Sequence, residues 1–201
     1  MVSMKNRLAI FCVTYNSYFE LKVYLSSLDT AASKVSSLLN VDIFIVDNTE
    51  EGVQKVDYLD TFSHINCILF PFHENNGYFG GVKKGMEGVD VKIYDFVAIT
   101  NVDLTVADDA FLNLVNINVD DNVGWIAPSI MSKKENRDRN PGVLSRYSRR
   151  KLLMLKFKFD YPIVDFIYNQ TFYKRKRLRK KYSAMDIYAG HGSFILLTRA
   201  Y

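Results

Sequence analysis

The stretch YDFVAITNVD, residues 94–103, places polar side chains where a buried strand is expected to end. Residues 94–100 are mostly β-branched, aromatic or aliphatic, a composition typical of a strand. Asn101-Val102-Asp103 follows directly. Ligands of open α/β sheets bind at the carboxyl ends of the strands, and hard divalent cations prefer carboxylate oxygens there. Because Asn-x-Asp is also common in ordinary turns, the triplet needs support from the rest of the chain.

Three more apolar stretches end in polar residues in the same way. They are LAIFCVT (8–14), DIFIV (42–46) and NCILF (66–70). Helical spacing follows at 21–28, with Ser17 or Asn16 as the expected N-cap, and further helical stretches are expected at 53–62 and 82–86. This order predicts an α/β fold with a mostly parallel central sheet and flanking helices.

The turn after the first strand excludes two familiar nucleotide-binding classes. Thr14-Tyr15-Asn16-Ser17 has no glycine, whereas a dinucleotide-binding domain needs glycines there for the pyrophosphate. The same turn lacks the Gly-rich, Arg/Lys-containing loop expected of a sugar-phosphate nucleotidyltransferase. The glycines of this chain come later, in NNGYFGGVKKG at 75–85, where they would let a ligand lie close to the backbone.

Four motifs, in order along the chain, resemble one known family. They are Thr14-Tyr15-Asn16, Val46-Asp47-Asn48, the segment 75–85 and Asn101-Val102-Asp103. Together they resemble the family 2 glycosyltransferases of the A-type fold, particularly the rhamnosyltransferase-like branch. The resemblance covers most of residues 6–130 and resumes at 185–201, with weaker matches at 124–128 and 190–197. It implies the nucleotide-diphospho-sugar transferase fold and a glycosyltransferase activity.

The resemblance also implies a set of donor-site residues. Asp103 would hold a divalent metal, Mg²⁺ or Mn²⁺, and Asp47 would accept the imide hydrogen of uracil or thymine. The donor would then be a UDP- or dTDP-sugar, and the acceptor a cell-surface glycan or a lipid-linked molecule. The nucleotide-sugar-binding residues implied in this way are Thr14, Tyr15, Asn16, Asp47, Asn75, Gly77, Gly81 and Asn101.

The resemblance further implies an acidic general base downstream of the strand at 193–198, yet this sequence ends at Tyr201. Asp186 and His191 are the nearest substitutes. We therefore expect a single glycosyltransferase domain over 1–201 that is truncated at its C-terminus. Within it, 1–130 would bind the nucleotide sugar, 131–184 would be a basic and aromatic insertion, and 185–201 would begin the acceptor side. The alternative is a non-catalytic remnant that binds nucleotide sugar without transferring it.

Charge is concentrated in one segment of the chain. Residues 146–181 hold 13 Lys and Arg but only two acids, although the whole chain has a net charge of only +4. Large apolar residues alternate with these cations, a mixture that an anionic membrane surface attracts. A helical subdomain with solvated charges explains the segment equally well. Nucleic acid is a weaker alternative, because the rest of the chain is acidic and has no recognition motif.

Composition agrees with a cytoplasmic enzyme of one domain. The 201 residues are 48% hydrophobic, which suits a sheet covered on both faces. Cys12 and Cys67 fall in expected buried strands, so we expect reduced thiols. No signal peptide or apolar run of membrane-spanning length occurs. We expect a cytoplasmic location, with peripheral contact to the inner face of the membrane through 146–181.

Overall fold

The computed structural model describes residues 5–51, 56–168, 170 and 186–201. The strands are β1 (Asn6–Thr14), β2 (Leu39–Asp47), β3 (Asn66–Pro71), β4 (Phe96–Asn101), β5 (Trp125–Ile126), β6 (Met131–Ser132), β7 (Arg137–Asp138) and β8 (Phe194–Thr198). The α-helices are α1 (Tyr18–Ser33), α2 (Gly77–Met86), α3 (Ala110–Asn116), α4 (Arg149–Asp160) and α5 (Pro162–Tyr168). Short 3₁₀ helices lie at Leu59–Thr61 and Val91–Ile93.

A six-stranded sheet in the order β3-β2-β1-β4-β8-β5 forms the centre of the fold. Strands β1 to β4 run parallel to one another, whereas β8 runs antiparallel to both β4 and β5. The register pairs Thr14 with Asp47 and Val13 with Asn101, so three strands end at the same edge. The expected α/β fold with a mostly parallel sheet and flanking helices is confirmed.

Alternate residues of the strands pack on opposite faces of the sheet. Ile10 and Cys12 of β1 lie in one cluster with Leu21 and Leu25 of α1, whereas Phe11 lies in a second cluster with Val82 of α2. This alternation is the period-2 pattern of a strand buried on both sides. Cys12 is buried as expected and Cys67 is only partly buried; both are free thiols.

Two local predictions differ from the structure. Ser17 occupies the N-cap of α1, but its hydroxyl donates to the carbonyl of Tyr15 instead of accepting a helix N–H. Within residues 56–62 the expected helix reduces to the 3₁₀ turn Leu59–Thr61, and residues 52–55 lie outside the described part. Short polar side chains near a helix start bond readily to nearby carbonyls, so the residue type alone did not determine the cap.

Helix α2 begins at Gly77, five residues before the helical stretch expected from the sequence. Its glycines have low intrinsic helix propensity, so tertiary packing decides the conformation. Gly85 shows why: a Cβ there would lie 2.7 Å from Cγ2 of the buried Val46. The absence of a side chain lets α2 approach the sheet closely.

Replacing Gly85 with alanine is expected to destabilise the fold, and Gly80→Ala is the matched control in the same helix. At Gly80 the nearest atom to an added Cβ is 3.4 Å away, an ordinary contact. Both changes gain helix propensity of up to about 1 kcal/mol. The difference between the two variants in free energy of unfolding therefore isolates the cost of overpacking at Gly85, about 1–3 kcal/mol. Urea unfolding of both variants measures that difference. Equal stability would show that α2 does not need the close approach.

The chain divides into two compact units, the described residues of Met1–Ile130 with His191–Tyr201, and those of Met131–Gly190. The first contains the six-stranded sheet. The second contains the hairpin of β6 and β7, helices α4 and α5, and a bridge between Val143 and Ala189. Among the described helices, none combines the length and the apolar composition needed to cross a bilayer.

Candidate functional site

Three strand ends and the start of α2 form one polar edge of the sheet. We define this polar edge by Thr14–Asn16, Asp47–Thr49, Asn75–Gly77 and Asn101–Asp103. The ends of β1 and β2 are joined by the N–H of Asn48, which donates to the carbonyl of Thr14 at 2.9 Å. The N–H of Asn101 donates to the carbonyl of Ser193 at 3.0 Å, which joins the end of β4 to the start of β8. The predicted strand-end residues are therefore brought together.

Asp47 lies beneath the polar edge and is fully buried. The Tyr18 hydroxyl donates to its Oδ2 at 2.8 Å, and the Thr49 N–H donates to its Oδ1 at 2.9 Å. In turn the Asn16 N–H donates to the Thr49 hydroxyl at 3.0 Å. The carboxylate thus ties α1 and the turn after β2 to the turn after β1. In this conformation it offers no surface to a base, so the direct contact expected from the sequence needs the turn to move.

The side chains that the polar edge exposes are different ones. Tyr15 is 45% exposed, and Asn16, Asn75 and Asp103 are exposed as well. Asn16 has φ of +54°, a left-handed conformation that asparagine tolerates better than most residues. Asn75 Oδ1 accepts the N–H of Gly77 at 3.0 Å and so shapes the entry to α2. A ligand at this edge would meet an aromatic ring, amides and a carboxylate.

Asn48 is a member of the polar edge that the predicted site residues did not include. Its side chain is buried, and its Nδ2 donates to the carbonyl of Gly77 at 2.9 Å. A Cβ on Gly81 would lie 3.0 Å from both terminal atoms of this amide, so Gly81 leaves room for Asn48 instead of facing a ligand. The sequence feature that could have identified Asn48 is its place in Val46-Asp47-Asn48, directly after the strand.

Two buried polar atoms beneath the polar edge have no hydrogen-bond partner among the described residues. They are Thr14 Oγ1 and Asn48 Oδ1. Buried polar atoms are nearly always satisfied, because each unmade hydrogen bond costs about 1–3 kcal/mol. Both atoms lie at the ends of adjacent strands. A hydroxyl or amide of a ligand, or an ordered water, would satisfy their hydrogen bonding at this edge.

Tyr78 joins α2 to the segment before β8. Burial first, and more weakly the negative charge of Asp103, raise the pKa of the Tyr78 hydroxyl well above its ordinary value. That hydroxyl lies 3.5 Å from the carbonyl of Gly192. The phenol therefore stays protonated at neutral pH. Sequence analysis did not single out Tyr78, since the contact joins residues far apart in the chain.

The two candidate bases have different surroundings. The Ser193 N–H donates to His191 Nδ1 at 3.3 Å, and the Ser193 hydroxyl lies 2.8 Å from the same atom. Both contacts hold the Nδ1 side of the imidazole ring against Ser193, and the donor in the shorter one is set by the tautomer of the ring. Asp186 is exposed and belongs to the unit Met131–Gly190, whereas the polar edge belongs to the other unit.

A divalent metal is compatible with the polar edge. In the described part of the chain, His, Cys, Asp and Glu form no group of three or more that would hold a metal alone. Mg²⁺ usually binds through one or two carboxylates, with waters and substrate phosphates completing its shell. One exposed aspartate at a strand end fits that donor set, so Asp103 is the residue that would hold such an ion.

Comparison with known proteins gives one family match. The family model described as Glycosyl transferase family 2 matches residues 9–182. No curated protein matches the chain.

Several solved structures are similar to this chain at low sequence identity. Residues 1–349 of S. aureus TarS share 17% identity over 55% of this chain and 31% of that one, with a TM-score of 0.42. The mannosyltransferase PcManGT from Pyrobaculum calidifontis, in complex with GDP-Man and Mn²⁺, shares 16% identity over 66% of this chain and 37% of that one, with a TM-score of 0.48. The bifunctional glycosyltransferase WbbM shares 13% identity over 98% of this chain and 32% of that one, with a TM-score of 0.45. The present chain thus spans about a third of the length of these structures.

Proposed function

Because the chain belongs to glycosyl transferase family 2, we propose that it transfers a hexosyl or deoxyhexosyl group from a UDP- or dTDP-sugar. Transfer would require Mg²⁺ or Mn²⁺, and the acceptor would be a cell-surface glycan or a lipid-linked molecule. The rhamnosyltransferase-like branch and a cytoplasmic location belong to the same proposal. The observation that carries it is the polar edge, where motifs separated by up to about ninety residues meet at the ends of three parallel strands.

The residues of the polar edge divide into two roles in this proposal. Tyr15 offers an aromatic face for the base, and Asn16, Asn75 and Asn101 offer amides to ribose or phosphate. Thr14, Asp47 and Gly77 hold the turns that present these exposed side chains. This role is supported by the burial of Thr14 and Asp47 and by the hydrogen bonds of Asp47 and Gly77. An accessible Asp47 oxygen, after movement of the Thr14–Ser17 turn, would accept the imide hydrogen of uracil or thymine.

Asp103 would hold the divalent ion against the diphosphate. When bound, such an ion supplies positive charge that stabilises the leaving nucleoside diphosphate. Asp103 contributes a carboxylate that is exposed just after the end of β4. The protein thereby orients the departing group without a further cofactor.

Calorimetric titration of the chain with UDP, dTDP, GDP and ADP, each with and without Mn²⁺, tests this donor assignment. GDP is included because the similar mannosyltransferase structure holds GDP-Man. We expect UDP or dTDP to bind at least tenfold more tightly with the metal than without it, a difference of about 1.4 kcal/mol. A preference for the purine nucleotides, or binding that ignores the metal, would contradict the proposal.

Binding of a nucleotide sugar without transfer is a second candidate function. It is favoured by the contacts of His191 Nδ1 with Ser193, which occupy one of the two ring nitrogens that could serve as a base. Release of UDP from UDP-sugars, or of dTDP from dTDP-sugars, separates the two functions. A chain that binds the nucleotide with metal but releases none in the presence of glycan acceptors fits the second candidate.

A further inference from the structure

Helix α5 carries an apolar stripe that is exposed to solvent. Ile163, Phe166 and Ile167 follow the i, i+3, i+4 spacing of one helix face, and they are 76%, 64% and 54% exposed. Residues of this type are normally buried when they line up on one side of a helix. The stripe is therefore a candidate contact surface.

Helix α4, which is joined to α5 through Tyr161, exposes large apolar side chains as well. Leu153, Phe157 and Phe159 are 60%, 52% and 81% exposed. We call these six residues of the two helices the α4–α5 surface. Large apolar side chains exposed singly are normal on a protein surface, whereas six of them on two consecutive helices mark a candidate interaction surface.

The charges around the α4–α5 surface are predominantly positive. Residues 146–168 contain six Lys and Arg and two acids, for a net charge of +4. Both acids are engaged by lysines, with Lys156 Nζ 2.6 Å from Asp160 Oδ2 and Lys158 Nζ 3.1 Å from Asp165 Oδ1. The arginines at 146, 149 and 150 precede or begin α4 and add charge beside the exposed apolar side chains.

This combination favours one class of partner over two others. A second copy of the chain would bring the same positive charge to the interface and be repelled. A nucleic acid would attract the cations and its bases can stack on Phe159, but it offers no comparable partner for the aliphatic Ile163 and Ile167. An anionic bilayer offers phosphates to the cations and acyl chains to the apolar side chains at one boundary.

We infer that the α4–α5 surface binds the headgroup–acyl boundary of an anionic lipid bilayer, with both helices lying in the plane of the interface. The inference goes beyond the donor chemistry and does not depend on it. Long cationic side chains can lie along the apolar surface while their charges contact lipid phosphates. The second unit would in this way hold the protein at a surface where lipid-linked molecules reside.

Vesicle co-sedimentation of the full chain tests this inference. We expect binding to phosphatidylcholine vesicles that contain phosphatidylglycerol, weakening as salt rises, and little binding to pure phosphatidylcholine. Phe166→Ser with Ile163→Ser is expected to lower the partition coefficient about tenfold or more, because each removes an apolar side chain from the bilayer. Arg149→Gln with Arg150→Gln is expected to lower it roughly fivefold per cation removed.

Phe19→Ser is the matched control, because Phe19 is also 76% exposed but lies on α1 of the other unit. It is expected to leave vesicle binding unchanged. Equal binding to both kinds of vesicle, or unchanged binding by the α5 variant, would overturn the inference. So would light scattering that shows a dimer dissociated by the α5 substitutions, or a salt-sensitive complex with RNA in place of lipid. Nucleotide titration of each variant reports separately on the polar edge.

Discussion

Replacing Asp103 with alanine is expected to remove the metal-dependent part of UDP or dTDP binding and leave only the affinity measured without metal. The reason is that Asp103 is the exposed carboxylate at the end of β4, the one we propose to join the ion to the polar edge. The loss is about tenfold or more in affinity with Mn²⁺ present, equivalent to at least about 1.4 kcal/mol. Calorimetric titration of the wild type and the variant measures it.

Asp108→Ala is the control for this change. Asp108 is an exposed carboxylate on the same segment, paired with Lys34 at 3.3 Å, and surface pairs of this kind contribute little to stability. The control should bind nucleotide like the wild type, and neither variant should change the midpoint of thermal unfolding by more than a few degrees. Undiminished metal-dependent binding by Asp103→Ala would remove Asp103 from the site.

Replacing Asp47 with alanine is expected to destabilise the fold by about 2–4 kcal/mol. The change leaves the buried Tyr18 hydroxyl and Thr49 N–H without their acceptor, and each unsatisfied group costs about 1–3 kcal/mol. Tyr18→Phe removes only one of these two bonds and should cost less. Urea unfolding at neutral pH compares the three proteins. A stability equal to that of the wild type would show that the carboxylate does not hold the turns together.

Asp47→Asn distinguishes this structural role from recognition of the base. An asparagine keeps the size of the side chain and one carbonyl acceptor, so we expect most of the stability to remain. If an Asp47 oxygen accepts the imide hydrogen, as proposed, the variant should lose its preference for uracil or thymine over purines while staying folded. An unchanged preference, together with full stability, would leave Asp47 as a positioning residue only.

The sequence predicted the sheet well because strand signals are local. An apolar run such as LAIFCVT and the polar residues after it specify both a buried strand and its end, and the parallel order then aligns Thr14 with Asp47 and Val13 with Asn101. The start of α2 was missed because its glycines score poorly for a helix. Their use depends on contact with Val46, which is distant in the chain.

The candidate site was predicted less completely, because hydrogen bonding decides which polar residue is buried. Asp47 was expected to face a ligand, yet its bonds to Tyr18 and Thr49 place it below the surface. Asn48 bonds to Gly77, and Tyr78 is coupled to Asp103. Apart from the local bond between Asp47 and Thr49, each of these interactions joins residues that are 25 or more positions apart in the sequence. Spacing along a sequence carries no signal for such pairs.

The most direct test of the account is a crystal structure of the chain with UDP and Mn²⁺. We predict a metal ion held by the Asp103 carboxylate beside the diphosphate. The base would lie against Tyr15, near the ends of β1 and β2. Nucleotide bound elsewhere, or a diphosphate at the polar edge whose metal has no contact with Asp103, would contradict the account.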